Sequence, residues 1–119
     1  MQLLSMTPRI FKSPQPADFS AFSPVPQPVG QPVTQTRSTS ESVPAPGMQV
    51  GIWEATPGVW HRQVTKREYS YFIEGHCFFT PYDGEPIEIK AGDSVFFPEN
   101  SLGIWDIREV TRKAYLIMD

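Results

Sequence analysis

Two glycine-bounded stretches decide the fold of this chain. Residues 58–75 read GVWHRQVTKREYSYFIEG, residues 92–103 read GDSVFFPENSLG, and sixteen residues separate them. Both are short β-rich runs, and turn signals such as Asp83-Gly84 and Ala91-Gly92 divide the runs around them. No window shows helical periodicity. The pattern predicts an all-β protein, a sandwich or a barrel of about eight short strands.

The first 47 residues differ in amino-acid composition from the rest of the chain. Nine of the thirteen prolines fall in residues 1–47 and four in residues 48–119. Because proline fixes φ and lacks a backbone donor, the first segment cannot form a helix or a central strand. We expect an extended arm over 1–47, with an edge strand near 34–40, and a barrel over 48–119. Three phenylalanines at 11, 19 and 22 predict that the arm docks on its own subunit or on a partner.

Size and charge exclude several classes of protein. The chain has 119 residues, enough for one domain, and a net charge of −3 with no concentrated basic patch, which argues against nucleic-acid binding. A single cysteine, Cys77, excludes an internal disulfide and a zinc site built from cysteines alone. No run approaches the roughly 20 apolar residues of a membrane span, and no signal architecture is seen at the N-terminus. We expect a cytoplasmic protein without a membrane partner.

The two stretches together resemble the cupin superfamily. The first cupin motif carries His-x-His, then a glutamate, six residues and a glycine, which His61, Gln63, Glu68 and Gly75 match in part. The second motif matches at Gly92 and Pro98, whereas Asn100 stands at a glycine position and Gly103 at a histidine position. Over residues 48–118 the chain is similar to small one-domain cupins related to ureidoglycine aminohydrolase and to the ethanolamine-utilisation cupin. The resemblance implies a double-stranded β-helix, the jelly-roll barrel.

The resemblance also implies a degenerate metal site. Metal-binding cupins use three histidines and one glutamate, and here only His61 and Glu68 fall on ligand positions. Gln63 would offer a weak amide oxygen, and one imidazole, one carboxylate and one amide suit a transition metal poorly. We therefore expect no tightly bound cofactor; the alternative is a weakly held divalent ion at His61, Gln63 and Glu68.

The expected pocket lies at the open end of the barrel. If Glu68 points inward, strand alternation turns Ser70 and Phe72 inward and Tyr69 and Tyr71 outward. Glu68, with a pKa raised by apolar walls, and His61 are the candidate acid–base residues. The candidate ligand-binding residues are Gln63, Ser70, Phe72 and Trp105, with Trp105 filling the space left at Gly103.

Three functions remain open from the sequence. The first is a metal-independent cupin that binds a small molecule. The second is an enzyme that acts on a small nitrogenous or carbohydrate-like metabolite, as the ureidoglycine aminohydrolase group does. The third is a non-catalytic assembly cupin, which a barrel plugged by Trp105 and Phe72 would favour. Because an edge strand needs covering, we also expect a homodimer formed through the N-terminal arm.

Overall fold

The computed structural model describes residues 7–41, 43 and 45–119. In this part of the chain a short 3-10 helix, Pro16–Asp18, precedes nine strands. The strands are β1 (Ser23–Pro24), β2 (Pro28–Val29), β3 (Gln35–Ser38), β4 (Met48–Ala55), β5 (Gly58–Val64), β6 (Arg67–Pro81), β7 (Ile87–Lys90), β8 (Ser94–Phe97) and β9 (Ser101–Met118). The all-β prediction is confirmed. None of the helices among these residues is long and apolar enough to cross a membrane.

Two long strands, β6 and β9, connect the two halves of the barrel. They pair antiparallel along almost their whole length, from Arg67 opposite Met118 to Pro81 opposite Gly103. The first half of β6 also pairs with β8, and its second half pairs with β7. Likewise β9 pairs with β5 through its first half and with β4 through its second. The single curled sheet therefore closes as a jelly roll, as the resemblance to cupins implies.

A glycine at the bend of β6 lets this strand change partners. The β6–β9 register shifts between Phe72 and Cys77, on either side of Gly75. Gly75 has φ +111°, and a Cβ atom there would lie 2.4 Å from Thr111 Oγ1. Both the left-handed backbone and the close approach of β9 require glycine at this position.

Aromatic side chains fill the core between the two halves. Trp105 on β9 lies 5.0–6.3 Å, centroid to centroid, from the rings of Trp53, Trp60, Phe72, Phe79 and Phe97. Since aromatic rings bury about 150–250 Å² each, this cluster forms the centre of the apolar core. Cys77 belongs to the same core, and burial raises the pKa of its thiol to about 11, which keeps it protonated and unreactive.

The N-terminal arm docks on its own subunit. Strand β1 pairs with β3, which in turn pairs with β4, and β2 pairs with β5, so the arm extends the sheet at two edges. Its Phe19 and Phe22 rings lie 4.2 and 4.6 Å from the Arg37 guanidinium. The strand expected near 34–40 is observed as Gln35–Ser38, with β1 on one side and β4 on the other.

A buried carboxylate lies beneath this part of the arm. Glu54 accepts hydrogen bonds from Arg37 Nε at 2.8 Å and Arg112 Nε at 2.6 Å. Burial alone would raise the pKa of Glu54, but the two guanidinium groups outweigh it and lower the pKa below its ordinary value. The arm thus covers an ion-paired cluster.

Candidate functional site

An open cavity of about 170 Å³ lies at one end of the barrel. Its polar wall is made by side chains from strands β3, β5, β6 and β9, namely Ser38, Arg62, Glu68, Lys113 and Tyr115. Its apolar wall consists of Trp53, Val64, Trp105 and Ile117. A dry cavity of about 150 Å³ holds a molecule of benzene's size, so this one fits a ligand of about six to ten non-hydrogen atoms.

A buried ion pair forms the centre of the cavity. Glu68 Oε2 accepts hydrogen bonds from Lys113 Nζ and from Ser70 Oγ, both at 2.7 Å. Burial by itself would raise the pKa of Glu68, but the Lys113 ammonium and the two hydrogen bonds outweigh it, so the pKa is lowered. The expectation of a raised pKa is therefore wrong, because it counted the apolar walls and missed the cation. Glu68 is ionised at neutral pH.

The Lys113 ammonium is surrounded by aromatic rings. The ring centroids of Trp53, Phe97, Trp105 and Phe72 lie 4.7, 5.4, 5.5 and 5.7 Å from Nζ. Ring faces attract a cation, and the effect is strongest where water is excluded. Burial lowers the pKa of Lys113 below its ordinary value, and the Glu68 carboxylate opposes this effect.

Arg62 stands at the rim of the cavity. It shares the inward side of β5 with the buried residues Trp60 and Val64 and is itself exposed. Its positive charge acts on both Glu68 and Lys113. Among the residues that the structure describes, no ion-pair partner of Arg62 is found. The cavity therefore offers an uncompensated guanidinium.

The structure does not bring His61 and Gln63 to Glu68. Both lie on the outward side of β5, since the strand alternates and its inward side is fixed by Trp60. His61 Nδ1 lies 2.7 Å from the Tyr82 hydroxyl, and Gln63 Nε2 donates to Asn100 Oδ1 at 3.4 Å. The acid–base couple of His61 and Glu68 is thus not assembled, and Gln63 does not contact the cavity.

The other predicted ligand-binding residues do point inward. Ser70 and Phe72 are fully buried on the side of β6 that carries Glu68, while Tyr69 and Tyr71 are exposed on the opposite side. Ser70 orients Glu68, Trp105 lines the cavity, and Phe72 lies below it in the core. Phe79, not Trp105 as expected, takes the space at Gly103, where a Cβ atom would lie 2.5 Å from Phe79 Cζ.

A family model for the EutQ-like cupin domain matches residues 44–115. The chain belongs to the EutQ-like cupin family. No curated protein matches the sequence. Among solved structures, this cupin is similar to EutQ from Clostridium difficile, with a TM-score of 0.65, 17% identity and coverage of 77% of this chain and 75% of that one. The ethanolamine utilisation protein Q of Salmonella typhimurium gives a TM-score of 0.63 at 20% identity, covering 71% and 69%.

A DUF861-family protein from Thermotoga maritima has the higher identity of 33%, over 54% of this chain and 73% of that one, with a TM-score of 0.52. The neighbours below 25% identity establish the shared fold and nothing more. The likeness therefore confirms a small cupin, and the chemistry of the cavity has to be argued from its own residues.

The residues of this cupin do not fit a transition metal. At the ligand positions proposed from the motif, His61 and Gln63 point away, Gly103 has no side chain, and Glu68 is engaged by Lys113. Within the described residues no three His, Cys, Asp or Glu side chains group as a metal site. The Lys113 ammonium, 2.7 Å from the Glu68 carboxylate, compensates the charge of Glu68, as a metal ion would otherwise do.

Arg62 and Lys113 are the two charged cavity residues that the sequence pattern did not predict. A signal for Arg62 was present, because Trp60 and Val64 mark the apolar side of the strand and Arg62 lies between them. The cupin motif was instead aligned on His61, the one histidine of β5. A shift of one residue along a strand moves every side chain to the opposite side of the sheet. For Lys113 the signal was weaker, because the same strand also carries the charged residues Arg108, Glu109 and Arg112, and no local pattern marks Lys113 as the inward one.

Proposed function

We propose that this protein is a metal-independent cupin that binds a small organic acid at the open end of its barrel. The observation that carries the proposal is Arg62, an unpaired guanidinium beside a Lys113–Glu68 pair whose charges already cancel. A planar guanidinium binds a carboxylate through two parallel hydrogen bonds, which neither a neutral nor a cationic ligand can provide.

The shape of the cavity supports a small acid. Its volume of about 170 Å³ lies below the range of about 300–1,000 Å³ typical of drug-sized ligands. Trp53 and Trp105 form an apolar wall, and Ser38 and Tyr115 line the polar side, although the Tyr115 hydroxyl itself donates to the Thr39 carbonyl oxygen. A monocarboxylate with a short hydroxylated or unsaturated body matches a net cavity charge of +1, which follows from Arg62, Lys113 and Glu68.

The test compares acids with their neutral amides. Lactate, pyruvate and benzoate are titrated beside lactamide, pyruvamide and benzamide, with the melting temperature and isothermal titration calorimetry as readouts. A ligand at 100 times its Kd stabilises the fold by about 2.7 kcal/mol, which raises the melting temperature by several degrees. We expect this rise with at least one acid and none with its amide.

A matched pair of variants locates the binding. Arg62→Met removes the rim guanidinium, and Arg108→Met removes an arginine that is ion-paired with Asp106 outside the cavity. Losing a charge-assisted bidentate contact weakens binding by about 10- to 100-fold, so Arg62→Met should abolish the shift and Arg108→Met should retain it. An acid that binds both variants equally would contradict the proposed site.

A non-catalytic assembly role is the second candidate, and the filled barrel favours it. Trp105 lines the cavity and Phe72 lies below it, both nearly fully buried, so the described part of the chain has no deep pocket at this end of the barrel for a reaction. If no acid or amide shifts the melting temperature of the wild-type protein, while Arg62→Met leaves its stability and assembly unchanged, the assembly role becomes the better account of this fold.

A further inference from the structure

We propose that Lys113 forms a covalent imine with a small 2-oxo acid held in the cavity at the open end of the barrel. A 2-oxo acid carries a ketone carbon directly beside its carboxylate. The inference rests on the proposed function, because Arg62 binds that carboxylate, and it adds a reaction that binding of an acid does not require. Three features of the Lys113 side chain support it: its position in the cavity wall, its apolar surroundings and its carboxylate partner.

The first feature is the position of Lys113 in the wall of an open cavity. Its side chain is only 8% exposed, yet it lines the same cavity as Arg62 and Trp105. A small ligand in the cavity therefore contacts a lysine that little water covers. Pyruvate has about six non-hydrogen atoms, and a cavity of this size holds a ligand of that size.

The second feature is the apolar surroundings of the amine. Four aromatic ring centroids lie 4.7–5.7 Å from Nζ of Lys113. Removing water from an ammonium favours the neutral amine, which is the form that attacks a carbonyl carbon. A buried ion pair adds little stability over apolar residues of similar volume. The fold alone therefore does not account for a lysine at this position, whereas a reaction with a carbonyl group does.

The third feature is Glu68, which is placed to move the protons of the reaction. Its Oε2 atom accepts the hydrogen bond from Lys113 Nζ at 2.7 Å and a second one from Ser70 Oγ. Among the residues that the structure describes, both hydrogen bonds of this carboxylate are made by Oε2, which leaves Oε1 for the ligand. A carboxylate that contacts both the amine and the ligand can carry a proton from one to the other.

The reaction needs no reactant besides the ketone. Glu68 takes one proton from the Lys113 ammonium, and the lone pair of the amine forms a bond to the ketone carbon. The ketone oxygen receives this proton and a second one from the nitrogen, and it leaves as water while the nitrogen completes the C=N bond. The protonated imine keeps one N–H and one positive charge, so it stays paired with the Glu68 carboxylate.

The experiment traps the imine by reduction and measures the mass of the chain. The full chain is incubated with pyruvate below saturation and with sodium cyanoborohydride, which reduces a protonated imine to a stable amine. We expect one adduct of about 72 Da per chain, located on Lys113 by peptide mapping. Lys66 and Lys90, whose side chains are 58% and 65% exposed, are the internal controls. Each should carry less than about a tenth of the label found on Lys113.

Matched ligands and variants test each part of the proposal. Lactate has a hydroxyl in place of the ketone and should give no adduct. Pyruvamide lacks the carboxylate, and Arg62→Met lacks its partner, so each should reduce labelling by about 10- to 100-fold. Arg108→Met should be labelled like the wild type. The double variant Lys113→Met, Glu68→Gln removes both charges, keeps no unpaired ion in the core, and should give no adduct.

The outcomes separate the imine from the binding of an acid. If pyruvate and lactate both raise the melting temperature through Arg62 and no adduct forms on Lys113, the acid site stands and the imine is wrong. Equal labelling of Lys90 and Lys113 also overturns the imine, because the cavity then confers no reactivity. Labelling of Lys113 that is unchanged with pyruvamide and in Arg62→Met overturns the 2-oxo acid and the acid site. Neither a melting shift nor an adduct overturns both proposals.

Discussion

At the scale of single residues, Lys113 is the side chain on which the site depends. It places a buried cation 2.7 Å from the buried Glu68 carboxylate. Removing one partner of such a pair leaves an uncompensated charge, so Lys113→Met should lower the free energy of unfolding by about 3–5 kcal/mol. The double variant Lys113→Met, Glu68→Gln should recover most of this loss. Urea denaturation of the wild type, the single variant and the double variant measures these free energies of unfolding. Equal losses of stability in the single and double variants would contradict the pairing of Lys113 with Glu68.

Glu54 and Glu68 make the free energy of unfolding depend on pH. Arg37 and Arg112 lower the pKa of Glu54, and Lys113 and Ser70 lower that of Glu68, in both cases against the opposing effect of burial. Each folded pKa lies below the ordinary value of 4.5, so the unfolded chain binds protons first as the pH falls. The stabilisation is present above about pH 4.5 and is lost as the pH falls through the folded values.

Urea midpoints measured from pH 7 down to pH 3 should therefore decline below about pH 4.5 in the wild type. The decline should be shallower in Glu68→Gln, which lacks one of the two carboxylates. Glu88→Gln is the control, because Glu88 is an exposed carboxylate paired with His76. A wild-type midpoint that is constant across this range would contradict the lowered pKa values.

At the scale of elements, the bend of β6 is the sensitive point of the fold. A side chain at Gly75 meets both a left-handed backbone at φ +111° and a 2.4 Å approach to Thr111. Gly92, with φ +95° and no atom within 4 Å, separates the two effects. Gly92→Ala should lose about 1–2 kcal/mol through backbone strain alone, and Gly75→Ala about 1–3 kcal/mol more through the clash. Thermal and urea unfolding of both variants measure the difference; equal losses would mean that β9 moves away without a penalty.

At the scale of the whole molecule, the arm protects the barrel. Strands β1 and β2 cover the edges of β3 and β5, and Phe19 and Phe22 stack on Arg37 above the ion-paired Glu54. A chain without residues 1–32 should therefore aggregate, since it exposes two unpaired strand edges and the Glu54 cluster. Light scattering during mild heating checks this, with a chain lacking only residues 1–6 as control. If the shorter barrel stays dispersed and as stable as the control, the arm is not a structural part of the domain.

The amino-acid sequence by itself determined the fold class and much of the barrel interior. The spacing of turn residues predicted a sandwich or a barrel of short strands, and the resemblance to cupins implied the jelly roll. Asn100, placed at a glycine position, does adopt φ +60°. Because a strand has a period of two residues, fixing Glu68 inward also fixed Ser70 and Phe72 inward and Tyr69 and Tyr71 outward. These are local properties, which backbone geometry and side-chain alternation specify without reference to distant residues.

Only the tertiary structure decided the composition of the site. The register of β6 on β9 brings Lys113 to Glu68 across 45 residues of sequence, and no local pattern encodes that register. The motif also did not specify which side of β5 faces the cavity. A shift of one residue along the strand places Arg62 in the cavity instead of His61. Docking of the arm on Arg37 likewise depends on which sheet edges remain open once the barrel has closed. Long-range strand pairing therefore determined the charge of the cavity, whereas the local sequence pattern determined only the barrel around it.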